Sequence, residues 1–176
     1  MLTLDTPRLR LRQFRSADFD DYASLCADPE VMRYVPDESM KTIDEAREIL
    51  ITHPLADYRR RGYGRWACLL KSTGKHIGFC GPKYLPEIDE VDLGFRFTPA
   101  NWGKGYATEA ACACVNYGFS RLNFDQIVGL SEADNHASIR VLEKVGMQFT
   151  GLVRLLGCEF RRYVIRRDST VQAPKV

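Results

Sequence analysis

Two short stretches of the chain carry residue types suited to chemistry. The first is Trp102-Gly103-Lys104-Gly105-Tyr106-Ala107-Thr108. Glycines let a backbone come close to a ligand, and the first turn of a helix leaves N–H groups without intrahelical partners. Such donors, aligned with the helix dipole, suit an anion and most often a phosphate. Gly-Lys-Gly-Tyr lacks the wider glycine spacing and the Lys-Ser/Thr pair of a nucleoside-triphosphate loop. The glycine pattern of a dinucleotide fingerprint is missing as well. The second stretch holds Asn135 and Ser138, three apart at a helix start and therefore on one face. On their own they read as capping, with Asp134 or Asn135 as the cap and Ser138 in the first turn. A third candidate is the carboxylate pair Glu90 and Asp92, which shares a strand face opposite the apolar Val91, Leu93, Phe95 and Phe97.

The elements that must position these residues follow from periodicity. Val91 to Phe97 alternates as a strand, Thr98-Pro99-Ala100-Asn101 breaks it, and Ala107, Ala111, Cys114, Val115, Gly118, Phe119 and Leu122 trace one face of a helix. Upstream, Arg8 to Phe14 is a half-buried strand with leucines inward. Ser16 is the expected N-cap of a helix rich in early aspartates, and Glu30 to Val35 a short second helix. Thr42 with Glu45 forms a capping box, and His53-Pro54 divides the helix it opens. Tyr63–Leu70 and His76–Tyr84 form a hairpin that runs into the Glu90–Phe97 strand as an antiparallel meander. Gln126–Leu130 is a buried strand, Asn135–Val145 a helix closed by Gly146, and Met147–Leu156 with Cys158–Arg166 a final hairpin. No linker or repeat interrupts this order, which gives a single mixed α/β domain over residues 1–168 and a polar tail over 169–176.

Asn101 to Ala110, together with Asn135-His136-Ala137-Ser138-Ile139-Arg140-Val141-Leu142-Glu143-Lys144-Val145-Gly146-Met147, resembles the GNAT N-acetyltransferases. Thr6-Pro7-Arg8-Leu9-Arg10-Leu11-Arg12 and Ile77-Gly78-Phe79-Cys80-Gly81 add similarity to the branch that acetylates N-termini of ribosomal proteins. The resemblance covers nearly the whole chain. It implies a GNAT fold: a twisted mixed sheet with splayed central strands, flanked by helices, that binds acetyl-CoA. The backbone of Gly103, Lys104, Gly105, Tyr106, Ala107 and Thr108 would hold the pyrophosphate, with Trp102 opening the loop. Phe95, Phe97, Asn135 and Ser138 would lie along the rest of the cofactor.

The implied activity is acetyl transfer to a primary amine by direct attack in a ternary complex, with no metal. Many members carry a tyrosine acid four residues beyond the equivalent of Ser138. Leu142 stands there, which makes Ser138, directly or through water, the candidate proton donor. Asp92 occupies the place of a strand glutamate common in this branch and is the candidate base; the alternative is a surface carboxylate pairing with Arg65 or Arg96. The backbone N–H near Phe97 would polarise the acetyl carbonyl. A protein N-terminus is the first expected acceptor, with polyamines and amine antibiotics next. Acceptor choice is expected to lie in Ser16–Arg61 and Val153–Tyr163, where acidic residues such as Asp18, Asp28 and Glu38 could attract a cationic amine or be solvated.

Composition sets the remaining bounds. The chain has 176 residues, 45% hydrophobic and 27% charged, with net charge +2, as an ordinary globular domain does. No apolar run is long enough for a transmembrane helix and no signal peptide is visible, which places the protein in the cytoplasm with its six cysteines reduced. Cys112 and Cys114, two apart on a helix, face different ways and make a poor metal pair. Arginine clusters at Arg8 to Arg15, Arg59 to Arg61 and Arg161 to Arg167 read as solvated faces, an acidic partner such as RNA being the alternative. A homodimer through exposed sheet ends is a further expectation, as is a CoA-binding module without catalysis.

Overall fold

A computed structural model of the protein describes residues 3–35 and 42–168. Glu38 and the 169–176 tail, both named above, lie outside the described residues. Eight strands form one sheet in the order β1-β2-β3-β4-β5-β6-β8-β7. They are β1 (Thr3–Asp5), β2 (Leu9–Gln13), β3 (Trp66–Leu70), β4 (His76–Leu85), β5 (Glu90–Phe97), β6 (Gln126–Ser131), β7 (Gln148–Leu155) and β8 (Cys158–Arg166). The helices are α1 (Phe19–Ala27), α2 (Pro29–Met32), α3 (Ile43–Thr52), α4 (Pro54–Arg61), α5 (Tyr106–Ser120) and α6 (His136–Val145). Every described strand pairing is antiparallel except that of β5 with β6.

Alternation along the strands divides the core between the two faces of the sheet. Leu9, Leu11, Trp66, Cys68, Leu93 and Phe97 pack against Ala110, Ala111, Cys114 and Val115 of α5. On the other face Ala67 and Phe79 meet Phe14, Tyr22, Leu25 and Leu50, the contribution of β2, α1 and α3. Burial of this kind contributes about 25 cal/mol per Å² of apolar surface, and it holds α5 rigidly under β4 and β5. All six cysteines are free thiols. Burial pushes the Cys68 and Cys114 thiols up, so they serve as small hydrophobic groups. Cys112 and Cys114 are both inside, because α5 buries most of its circumference.

The feature that makes a site is the β5–β6 pair. Only Asp92 and Val128 are in register, and the parallel strands diverge beyond them. At the closed end Glu90 of β5 accepts hydrogen bonds from Gln126 Nε2 of β6 at 3.0 Å and from Arg162 Nε of β8 at 2.8 Å. Three strands are thereby fastened where the gap begins.

Local details depart from the sequence reading in a few places. Ser16 is not a helix cap: residues Ser16–Asp18 form a 3-10 turn, and the Asp18 carboxylate accepts the Arg15 N–H at 2.7 Å. Asp18 wins because Arg12 also reaches it through two 2.7 Å bonds, which fixes the carboxylate against the backbone. The Thr42–Glu45 capping box, the division at His53-Pro54 and the left-handed Gly146 are all present. β1 was not expected; its three residues are too few to show a period. No helix among the described residues is long and apolar enough to cross a membrane.

Candidate active site

Two cavities open from the splay and meet. The first, of about 360 Å³, runs from the glycine loop between β5 and α6. Gly103 and Gly105 hold φ of 71° and 80°, left-handed conformations that other residues reach only with strain, and Gly105 is the N-cap of α5. The loop therefore turns sharply, and the first N–H groups of α5, on Tyr106, Ala107 and Thr108, lack intrahelical partners where those residues line the cleft. Its walls include Phe95, Phe97, Trp102, Gly103, Gly105, Tyr106, Ala107, Thr108, Asn135 and Ser138. Lys104 is the one expected cofactor residue not on the wall; its carbonyl instead accepts Arg8 Nη1 at 2.9 Å.

The end of β5 is prepared for a ligand as well. Thr98 N–H donates to Ile77 O across the sheet at 2.9 Å. Successive residues alternate, so Phe97 turns its N–H and C=O away from β4 and into the gap. Trp102 Nε1 donates to that Phe97 carbonyl at 2.5 Å, which leaves the N–H available. A backbone edge with unpaired donors, a glycine turn and a helix N-terminus together fit an extended arm joined to a pyrophosphate, and acetyl-CoA contains such an arm.

Four residues that shape this geometry were not among the expected site residues. Arg8 and Glu109, 101 positions apart, brace the loop: Glu109 accepts from Thr6 Oγ1 at 2.6 Å, from Arg8 N–H at 2.8 Å and from Arg8 Nε at 2.6 Å. Burial alone would raise the Glu109 carboxyl, but these hydrogen bonds hold it below the usual glutamate value. The Arg8 guanidinium also lies 4.6 Å from the Tyr106 ring centroid. Thus Arg8 is a strut and not part of a solvated face. Arg140 and Lys144, one turn apart on α6, add positive charge to the cleft wall. Their i, i+4 spacing after Ser138 was the available signal.

The second cavity, of about 340 Å³, lies on the opposite face of β5 beneath α1, α3 and α4 and the β7–β8 turn. Tyr22, Ile49 and Pro54 line one side and Leu155, Leu156 and Phe160 another, in the two segments expected to choose the acceptor. Asp92 lines this groove. It is not a surface carboxylate: it is 7% exposed, and Oδ2 accepts Arg65 Nη2 at 2.5 Å. Arg65 reaches it by crossing Gly94, where a Cβ would stand 2.3 Å from Arg65 Nη2. The early acidic residues are otherwise engaged, Asp18 with Arg12 and Asp28 as the cap of α2.

Val31, Tyr34, Phe95, Arg96, Asn135 and Ser138 line both cavities and so mark where they meet. Asn135 caps α6 by accepting the Ser138 N–H at 3.1 Å, which orients the first turn toward the junction. Tyr34, whose hydroxyl donates to Asp134 O at 3.4 Å, closes the junction from α2. Leu142 is 1% exposed in the core, so the tyrosine of other members has no counterpart on this helix. Among the described residues, no cluster of histidine, cysteine and carboxylate groups is arranged to hold a metal.

Comparison with known proteins identifies the family. Residues 8–148 match the acetyltransferase (GNAT) domain model. The YkkB protein of Bacillus subtilis is 35% identical over 86% of this chain and 88% of its own. An acetyltransferase from Agrobacterium tumefaciens superposes with a TM-score of 0.83 at 30% identity, covering 94% of this chain and 95% of that one. Two Vibrio cholerae structures share the fold alone. A putative ribosomal-protein-serine acetyltransferase has TM-score 0.78 and 15% identity, covering 94% of this chain and 97% of its own. A spermidine N-acetyltransferase in complex with CoA and spermine has TM-score 0.74 and 19% identity, covering 92% and 97%. A cleft lined by a glycine turn and a helix N-terminus, opening onto a separate groove at a strand splay, belongs here to a chain of the GNAT family, and the protein is an acetyl-CoA-dependent N-acetyltransferase.

Proposed function

We propose that the protein transfers the acetyl group of acetyl-CoA directly to a primary amine held in the groove beneath α1, α3 and α4. The observation that carries this reading is the meeting of the two cavities at Phe95, Arg96, Asn135 and Ser138. A thioester lying along β5 and an amine entering from the groove reach each other only there. The amine nitrogen attacks the thioester carbonyl carbon, the carbon–sulfur bond breaks, and the thiolate leaves with a proton. The Phe97 N–H stabilises the developing oxyanion. Ser138 supplies the proton to sulfur, directly or through water, and regains one from the nitrogen as the amide forms. Asn135 positions Ser138, and its amide reaches the cofactor arm.

The ammonium form of the acceptor must first lose a proton. Asp92 receives it through water, by the carboxylate oxygen that Arg65 does not hold.

A protein N-terminus is the first acceptor to test, from the branch resemblance, and a polyamine the second. The fold does not choose between them, since neighbours named for each superpose about equally. The test is thiol release from acetyl-CoA with peptides bearing Ala, Ser and Thr N-termini, polyamines and aminoglycosides, alongside calorimetric titration of acetyl-CoA. Turnover with one acceptor class establishes the transfer. Tight cofactor binding with no turnover on any amine would replace it with a sensing role.

A further inference from the structure

The floor of the acceptor groove holds more cation than the chain neutralises by direct contact. Arg65, Lys83 and Arg96 all line it. Arg65 is matched by Asp92 at 2.5 Å. Arg96 has no such match among the described residues. Its polar contacts are sulfur atoms, Met32 Sδ at 3.6 Å and Cys26 Sγ at 4.0 Å, and its guanidinium carbon stands 5.5 Å from the Phe79 ring centroid. Thioether and thiol are weak acceptors, whereas a half-buried guanidinium presents a planar fork of donors suited to a carboxylate. No carboxylate among the described residues fills that fork.

Lys83 faces the same groove as the cross-strand neighbour of Asp92, with no hydrogen bond or ion pair among the described residues. Burial lowers its ammonium pKa, and the Arg65 charge lowers it further against Asp57 and Asp92. Asp57 and Glu132 also line the groove, and neither contacts Arg96. Position decides what the free guanidinium is for. Arg96 stands between Phe95 and Phe97 and lines both cavities, so an anion on it lies beside the point of acetyl transfer.

Resting on the acetyl-transfer reading above, we propose that the acceptor is a primary amine carrying a carboxylate a few bonds away, and that Arg96 binds this carboxylate. Lys83 adds to the positive field without touching the reacting atoms. The bidentate grip fixes the amine at the junction, which is orientation obtained from a non-reacting part of the substrate. Free polyamines, which have no anion, leave the guanidinium unsatisfied. Two sources offer the same chemistry: the α-carboxylate of a free amino acid, or an acidic side chain next to a peptide N-terminus.

The test uses matched pairs: amino acids against their carboxamides, and peptides beginning Ala-Asp against Ala-Asn. In at least one pair the carboxylate member should show kcat/KM at least about 10-fold above the neutral one. Arg96→Met should bring that ratio toward one, with Arg96→Lys between. Free acids favoured over amides would identify the small-molecule source, and Ala-Asp favoured over Ala-Asn the peptide source. If neutral members match or exceed the acids while amines are still acetylated, the carboxylate assignment falls and the transfer reading stands. A ratio that survives Arg96→Met overturns the role of Arg96. If no amine is acetylated, polyamines included, both readings fall. Should Arg96→Met not fold, the wild-type ratios and Arg96→Lys decide.

Discussion

The two cavities are made in different ways. The cofactor cleft is built mainly from backbone: a glycine turn, the first N–H groups of α5 and the unpaired edge of β5. The acceptor groove is built from side chains of α1, α2, α3, α4, β4, β5 and the β7–β8 turn, with charged groups fixed by partners far away in sequence. Backbone geometry binds what is common to every acyl donor of the family, while side chains can vary without disturbing the fold. On the proposed reading the cleft carries the family's chemistry, and the groove this chain's own specificity.

The contrast can be broken on either side. The largest effect should come from Arg65→Met, which leaves Asp92 as an unpaired carboxylate at 7% exposure. A loss of about 3–5 kcal/mol in unfolding free energy is expected, read by denaturant titration. Unchanged stability would show that Asp92 has another partner. Next, Asp92→Asn keeps the shape but removes the proton acceptor, and kcat should drop on the order of 100-fold with the acetyl-CoA Kd retained. A rate within a few-fold of wild type would remove Asp92 from the mechanism.

On the cofactor side, Gly105→Val forces a β-branched residue to φ of 80°. Acetyl-CoA should bind about 10- to 100-fold more weakly by calorimetry. Arg8→Met removes the strut without touching the cleft wall. A rise of roughly 5-fold in KM for acetyl-CoA at near-constant kcat is expected, since the variant loosens a positioned loop and spares the reacting groups.

The smallest effect is on pH. His76 is 8% exposed, and its Nε2 has no hydrogen-bond partner among the described residues. Burial lowers its pKa below the ordinary histidine value. The unfolded chain then binds a proton that the folded protein refuses, so stability should fall as pH drops below about 6.5. Asp18 and Glu109, both held below the usual carboxylate range, add a second loss as pH falls further through their lowered values. His76→Leu should abolish the near-neutral arm of a melting-temperature profile and leave the acid arm.

The same contrast governs what could be read from the chain. The strand, glycine loop and helix were legible because Val91 to Leu122 keeps each periodicity and its turn chemistry in one continuous run. The Thr42–Glu45 box and the Asn135 cap were legible for the same reason, each being complete within three residues. Arg65 with Asp92 spans 27 positions, Glu90 with Arg162 spans 72 and Arg8 with Glu109 spans 101. Arg65 was weighed as a partner for Asp92, but no local pattern announces the other two pairs, and arginines that looked like solvated strand faces became internal braces. Arg96 was weighed only as a partner for Asp92, because its emptiness is visible only once Met32 and Cys26 are seen beside it.

The single point of register between β5 and β6 also has a kinetic consequence. Amides of Gly94 and Arg96 face β4 and share its ladder, whereas those of Phe95 and Phe97 face the gap. Within one strand, neighbouring amides should thus exchange with deuterated solvent at rates set by two separate events. Gly94 and Arg96 wait for the sheet to open, while Phe95 and Phe97 respond to whatever lies along β5. Slowing of that second set on addition of acetyl-CoA would report occupancy of the cleft residue by residue, without any acceptor being known.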